Sequence, residues 1–176
     1  MKYKILILLA SSLLFGTTTI KAQNRNMVWC FGDSAGIDFN NGAMPISSGI
    51  DGRGSCVGIS DTAGKLLFYA GISNKTFVPF PYLGYVFDST HSQMLNGDSL
   101  RGTGWYKELV LVPMPDDAMK YYLFSAGVTS GPGFSYSIVD MNQNGGLGKV
   151  VQKNVLLQSF ACTDGLTAIK HGNGRD

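Results

Sequence analysis

Two short polar stretches of the chain contain the residue types that serve nucleophilic catalysis. Ser34 ends a Phe-Gly-Asp-Ser stretch, and His91 ends an Asp-Ser-Thr-His stretch that begins at Asp88. A serine becomes a nucleophile when a histidine takes its proton and a carboxylate orients that histidine. Ser34, His91 and Asp88 are therefore candidate residues for a hydrolytic site.

The Phe-Gly-Asp-Ser stretch is similar to the nucleophile block of GDS-type serine esterases. That family places its Asp-x-x-His near the end of a domain with many helices, whereas here His91 follows soon after Ser34 and no helical pattern supplies such a scaffold. A secreted esterase that uses Ser34 and His91 is thus kept as the alternative hypothesis. We interpret Asp33 and Ser34 first as a turn between two strands.

Other polar and aromatic residues have simpler structural explanations. Asp116 and Asp117 could begin a calcium loop, but calcium needs about six to eight oxygen ligands and no alternating Asp/Asn run follows, so a hairpin turn is expected. Asn74 fits the glycosylation pattern within an expected loop, and His171 is expected at the surface. Several aromatic residues could stack on sugars but are expected to pack between repeat units: Trp29, Trp105, Phe77, Phe80, Tyr82 and Tyr85. We assign no catalytic, cofactor-binding or metal-binding residue.

The three cysteines, Cys30, Cys56 and Cys162, lie in apolar strand-like contexts. One disulfide with one free thiol is compatible with this number, although burial as a small apolar side chain is the commoner role. The chain has no Cys-x-x-Cys pair and only two histidines, which disfavours a structural zinc site. The sequence leaves open whether any cysteines pair, and no cofactor is expected.

Residues 1–22 have the order of charge, apolar run and small-residue exit that is typical of a secretory signal peptide. The apolar run is too short to span a bilayer, so cleavage after Ala22 and export of residues 23–176 are expected. Lys2, Lys4 and Lys21 are three of the 14 basic residues, so 11 basic and 12 acidic residues remain, with a net charge of −1. Without a basic cluster, nucleic-acid binding is not expected.

The rest of the chain predicts short strands joined by tight turns, because β-branched and aromatic residues alternate between glycine-rich breaks. The predicted strands are residues 28–31, 37–39, 56–60, 66–70, 85–87, 108–112, 121–125, 134–141, 149–157 and 166–171. The segments that begin at 108, 121, 134 and 149 are predicted to form one four-stranded antiparallel meander. The strand at 166–171 runs into a Gly-Asn-Gly turn, so we expect a longer protein whose further strands lie downstream.

Apolar opening strands recur near residues 56, 108 and 166, at a spacing close to 50 residues. Four strands at this period are typical of β-propeller blades, whereas a β-sandwich usually lacks a longer period. We therefore predict an all-β fold, a partial β-propeller of about two and a half four-stranded blades.

Several stretches resemble the N-terminal β-propeller region of large secreted, sorting-domain-containing proteins of the type IX secretion system. They include residues 29–42, 59–71, 86–102, 110–127 and, as the most specific, 136–157, which contains DMNQNGGLGKVVQKN. The resemblance implies a cell-surface protein whose remaining blades lie downstream. It implies no enzymatic activity, so the expected role is an exported, non-enzymatic binding or display module, with a protein or glycan ligand that the sequence does not identify.

Overall fold

The computed structural model describes residues 24–73, 81–128 and 133–169, which form three antiparallel β-sheets. The first sheet contains β1 (Val28–Cys30), β2 (Ala35–Asp38) and β3 (Met44–Ser47) in the order β1-β2-β3. The second contains β4 (Cys56–Ser60), β5 (Leu66–Ile72) and β6 (Gly84–Asp88) in the order β4-β5-β6. The prediction of an all-β protein is confirmed, and none of the three sheets closes into a barrel.

The third sheet is a four-stranded meander, as the sequence predicts. Its strands are β7 (Leu109–Met114), β8 (Asp117–Ala126), β9 (Phe134–Asp140) and β10 (Lys149–Gln158), each paired with the next along the chain. The β7–β8 turn is tight, and the β9–β10 connection contains a short 3-10 turn at Asn144–Gly146. Gly145, Gly146 and Gly148 in this connection have positive φ, a conformation that glycine adopts without steric cost, which explains why the connection is rich in glycine.

Two strand predictions need correction. β3 was not predicted, and it pairs with β2 through Pro45 opposite Ile37, as the edge strand of the first sheet. The predicted strand 166–171 does not form at residues 166–169, where the backbone N–H of Leu166 donates to the carbonyl of Lys107 at 3.0 Å. Residues 170 and 171, like the predicted signal peptide at 1–22, lie outside the described residues.

The second sheet lies between the other two, because both faces of β5 are buried. Phe68, Ala70 and Ile72 belong to a large apolar cluster with residues of the third sheet, including Tyr121, whose ring meets that of Phe68 edge to face at 5.3 Å between ring centroids. Tyr69, on the opposite face of β5, packs in a smaller cluster with β1. The first strands of the sheets also meet, since β1 contacts β4 and β4 contacts β7.

Candidate functional site

Ser34 lies in an exposed turn between β1 and β2. Asp33 and Ser34 both have left-handed backbone conformations, with φ of 54° and 59°. The backbone of Ser34 is fixed on both sides, because its N–H donates to the carbonyl of Ile50 at 2.8 Å and its carbonyl accepts from the N–H of Ser48 at 2.9 Å. The structure thus places Ser34 in a turn braced by residues 48–50.

His91 lies in a second turn, beyond the end of β6, and its ring pairs with Tyr69. The Nδ1 atom of His91 is 3.0 Å from the hydroxyl of Tyr69, which also accepts a hydrogen bond from the N–H of Gly49 at 2.7 Å. Burial raises the pKa of Tyr69 to about 12, so this hydroxyl is neutral at ordinary pH. The Tyr69 hydroxyl therefore joins the His91 turn to the segment at Ser48 and Gly49, which follows β3.

The carboxylate of Asp88 serves its own turn. Its Oδ1 accepts hydrogen bonds from the N–H of Thr90 at 2.8 Å, the hydroxyl of Thr90 at 2.6 Å and the N–H of Ser92 at 3.3 Å. These bonds are those of an Asx turn, in which an aspartate replaces backbone acceptors. Within the described residues, the carboxylate of Asp88 thus builds its turn, the ring of His91 pairs with Tyr69, and these bonds do not join Asp88, His91 and Ser34 into a relay.

The turns that hold Ser34 and His91 nevertheless approach one another through Gly49. A Cβ atom at Gly49 would lie 2.9 Å from the carbonyl oxygen of His91 and 2.7 Å from the ring of Phe87. Only glycine fits this close approach without displacing one of them. Tyr69 and Gly49 carry this contact, and neither has a local sequence signal that distinguishes it from other strand or loop residues.

Glu108 is a fully buried carboxylate at the start of β7. Its side chain accepts hydrogen bonds from the N–H of Thr103 at 2.8 Å, from the Thr103 hydroxyl, and from the N–H of Gly104 at 3.3 Å. Its own carbonyl accepts from Ala126 on β8. Buried carboxylates need such donors, so Glu108 is explained as an anchor for the loop that joins the second sheet to the third.

Among the described residues, one face of the third sheet is not covered by another sheet. Tyr122, Phe124, Phe134 and Tyr136 share it, with ring centroids of neighbours 5.6 to 6.2 Å apart and the rings of Phe124 and Phe134 stacked at 9°. Cross-strand register adds four aliphatic residues to the same face: Val110, Val112, Ile138 and Val155. We call this surface the outer aromatic face. All eight side chains are partly exposed, and none is charged.

The first sheet has a smaller exposed aromatic cluster. The ring of Trp29 contacts Phe39 at 5.2 Å and Phe31 at 6.3 Å between centroids, and its indole N–H donates to the carbonyl of Asn26. Trp29 remains 49% exposed. The first and third sheets, which flank the second, thus each expose aromatic residues.

The other aromatic residues singled out in the sequence do not form one site. Trp105 is exposed in a loop, Tyr82 lies 5.8 Å from the guanidinium of Arg101, and Tyr85 lies beside Phe87. Phe77, Phe80 and the glycosylation pattern at Asn74 lie outside the described residues, as does His171.

The Asp116–Asp117 pair forms the predicted hairpin turn. The carboxylate of Asp117 contacts the ammonium group of Lys120 at 3.0 Å and accepts from the N–H of Met119. In the described part of the chain, no group of three or more His, Cys, Asp or Glu side chains is arranged to hold a metal ion. The same residues include no helix of the length and apolarity needed to cross a membrane.

Comparison of the chain with protein-family models, with curated proteins and with solved structures finds no match.

Proposed function

We propose that the chain is an exported, non-enzymatic binding or display module of the cell surface, and that its three sheets are consecutive blades of a β-propeller. The observation that carries the proposal is that three consecutive meanders pack in chain order, with the second lying between the first and the third. The β1–β4 and β4–β7 contacts put the first strand of each sheet beside the first strand of the next. Each sheet is a meander whose strands follow chain order, as the strands of a blade do.

The packing of the sheet faces supports the same arrangement. In a propeller each blade is covered on both faces by its neighbours, and the second sheet is covered in this way by the first and the third. The outer aromatic face has the composition of a blade interface and no charge. We propose that another β-sheet, of the kind that a further blade would supply, packs on it.

A crystal structure of the exported protein would test the blade arrangement. We expect β1, β4 and β7 to surround a common axis, with the sheets fanned around it and a further sheet on Phe124 and Tyr136. Two sheets stacked face to face with aligned strands would instead show a β-sandwich and overturn the propeller.

Export and display need a separate experiment. We expect mass spectrometry of the surface protein to find a mature N-terminus at Gln23, and a membrane-impermeant biotin reagent to label the protein on intact cells. Retention of Met1, or labelling only after lysis, would refute this part of the proposal. A cytosolic protein expressed in parallel is the control for cell integrity.

The ligand class can be separated by testing glycans and proteins side by side. A glycan array probed with the exported protein tests carbohydrates, and Trp29→Ala tests whether the exposed indole contributes to any signal. Cross-linking on intact cells, followed by mass spectrometry, tests protein partners. Hydrolysis of a p-nitrophenyl ester that is lost in Ser34→Ala and in His91→Ala would replace the binding proposal with the esterase hypothesis.

A further inference from the structure

Cys30 and Cys56 lie in neighbouring sheets but contribute to the same small apolar cluster. Cys30 is buried on β1, and Cys56, at the start of β4, packs against the cluster that contains Cys30 and Tyr69. Both are free thiols in the structure. Burial raises the pKa of Cys56 and the backbone of Gly32, two residues after Cys30, lowers it, which places the Cys56 sulfur near the end of β1.

The contacts between β1 and β4 give these two cysteines matching positions. The N–H of Ser60 donates to the carbonyl of Arg25 at 2.7 Å, and a Cβ atom at Gly58 would lie 3.8 Å from the carbonyl oxygen of Val28. The two segments therefore run antiparallel, and each step forward along β1 matches a step back along β4. Continuing the same alignment by two residues places Cys30 opposite Cys56.

We propose that Cys30 and Cys56 form a disulfide bond that joins the first sheet to the second in the exported protein. The Ser60–Arg25 hydrogen bond shows the two segments in direct backbone contact, and a disulfide requires a Cα separation of about 4.4 to 6.8 Å. Disulfides persist in exported proteins because those compartments are oxidising, so the occurrence of this bond in the cell depends on the proposed export.

The oxidation balances with a disulfide reagent such as oxidised glutathione. The Cys56 thiolate attacks one glutathione sulfur and releases the other glutathione as a thiolate, which leaves a mixed disulfide on Cys56. The Cys30 thiolate then attacks the Cys56 sulfur, forms the Cys30–Cys56 bond and releases the second glutathione. The two protein thiols lose two protons and two electrons, and oxidised glutathione is reduced to two thiols.

Burial determines when this reaction takes place. Desolvation, with a smaller contribution from the nearby Cys56, raises the pKa of Cys30 to about 12, and desolvation also raises the pKa of Cys56. Because the thiolate is the reacting form, the folded and reduced protein should oxidise slowly. We expect the bond to form during folding, before the two sheets enclose the thiols.

Trypsin separates the three cysteines, which makes the bond directly measurable. Cleavage after Arg25, Arg53, Lys65, Lys153 and Lys170 puts Cys30 in peptide 26–53, Cys56 in peptide 54–65 and Cys162 in peptide 154–170. The full chain is reduced in guanidinium chloride, refolded with reduced and oxidised glutathione, blocked with N-ethylmaleimide and digested. We expect peptides 26–53 and 54–65 to be linked, and peptide 154–170 to carry the blocking group.

A matched set of variants identifies the bond. Cys162→Ser should keep the link, whereas Cys56→Ser should leave Cys30 blocked by maleimide. A link to Cys162 in place of this pair, or blocking of all three thiols, would overturn the proposal. Blocking inside intact cells before digestion gives a second result that needs no refolding. A chain that links on refolding but is never exported would refute the proposed function and leave the pairing of Cys30 with Cys56 standing.

Discussion

Replacing Glu108 should lower the stability of the protein more than replacing any exposed acid. The buried Glu108 carboxylate accepts the hydrogen bonds of Thr103 and Gly104 in the loop between the second and third sheets. Glu108→Ala removes the acceptor of the Thr103 N–H and of the Thr103 hydroxyl. Hydrogen bonds to a charged group contribute about 1.5 kcal/mol each or more. The third donor, Gly104, is exposed and its bond is 3.3 Å long, so water can replace the carboxylate there at little cost.

The two Thr103 bonds sum to about 3 kcal/mol, and removing a buried carboxylate returns part of its desolvation cost. We therefore expect Glu108→Ala to lower the free energy of unfolding by about 2 to 3 kcal/mol. Glu108→Gln should cost only about 1 kcal/mol, because its amide oxygen can still accept from the Thr103 N–H and its amide nitrogen can donate to the Thr103 hydroxyl.

Urea unfolding of the exported protein, followed by tryptophan fluorescence, measures these differences, and Trp105 lies in the loop that Glu108 anchors. With a denaturant slope of about 2 kcal/mol per molar, the midpoint should fall by roughly 1 to 1.5 M in Glu108→Ala and by roughly 0.5 M in Glu108→Gln. Asp116→Ala, at an exposed turn, is the control and should change stability by less than about 0.5 kcal/mol. Equal losses in the two Glu108 variants, or a midpoint within error of the original for Glu108→Ala, would refute the assigned role.

Three further perturbations have defined outcomes. In residues 23–176 produced alone, Phe124→Ser removes the central ring of the outer aromatic face, so fluorescence of the apolar dye ANS should fall at least twofold; unchanged dye binding would mean that the dye does not bind this face. Tyr69→Phe removes the partner of the Gly49 N–H and of His91, and thermal unfolding of the exported protein should show a loss of about 1 to 2 kcal/mol, whereas Tyr122→Phe should show almost none. Hydrogen bonding to Lys153 lowers the pKa of Asp98, so the stability that Asp98 contributes is present above the unfolded pKa of about 3.9 and is lost as the pH falls below it. At this half-exposed site the contribution should stay under about 1 kcal/mol. The free energy of unfolding of Asp98→Asn should therefore change less with acid pH than that of the original chain.

The outer aromatic face also predicts how the protein behaves in solution. Repeat units generally need neighbours on both sides to bury a continuous core, and apolar sheet faces and unpaired edges promote aggregation. Residues 23–176 produced alone should therefore be poorly soluble or should unfold without a sharp transition. A monomeric product with a cooperative melting curve would show that the outer aromatic face needs no covering sheet.

Local sequence determined most strands, because alternating side chains and turn residues act within a few positions of each other. The predicted strand 56–60 matches β4 residue for residue, and the four strands of the third sheet form in the predicted order. β3 escaped prediction because it is short and contains Pro45, which a strand tolerates only at a sheet edge, and the edge position of β3 is set by its pairing with β2. The alternation at residues 166–169 was misleading because a strand also needs a partner, and Leu166 bonds to the Lys107 carbonyl instead.

The chemistry of the candidate sites was decided by tertiary structure. The sequence identified Ser34, Asp88 and His91 as residues of types that serve catalysis. The tertiary structure pairs the ring of His91 with Tyr69, which also accepts from Gly49, and the hydrogen bonds of the Asp88 carboxylate lie within its own turn. The loop at Thr103 fixes the environment of Glu108, and the meeting of β1 with β4 brings Cys30 and Cys56 to the same small apolar cluster. These contacts join different turns or sheets. Alternation along a strand says which residues share a face, and only the docking of one sheet on another decides what that face touches.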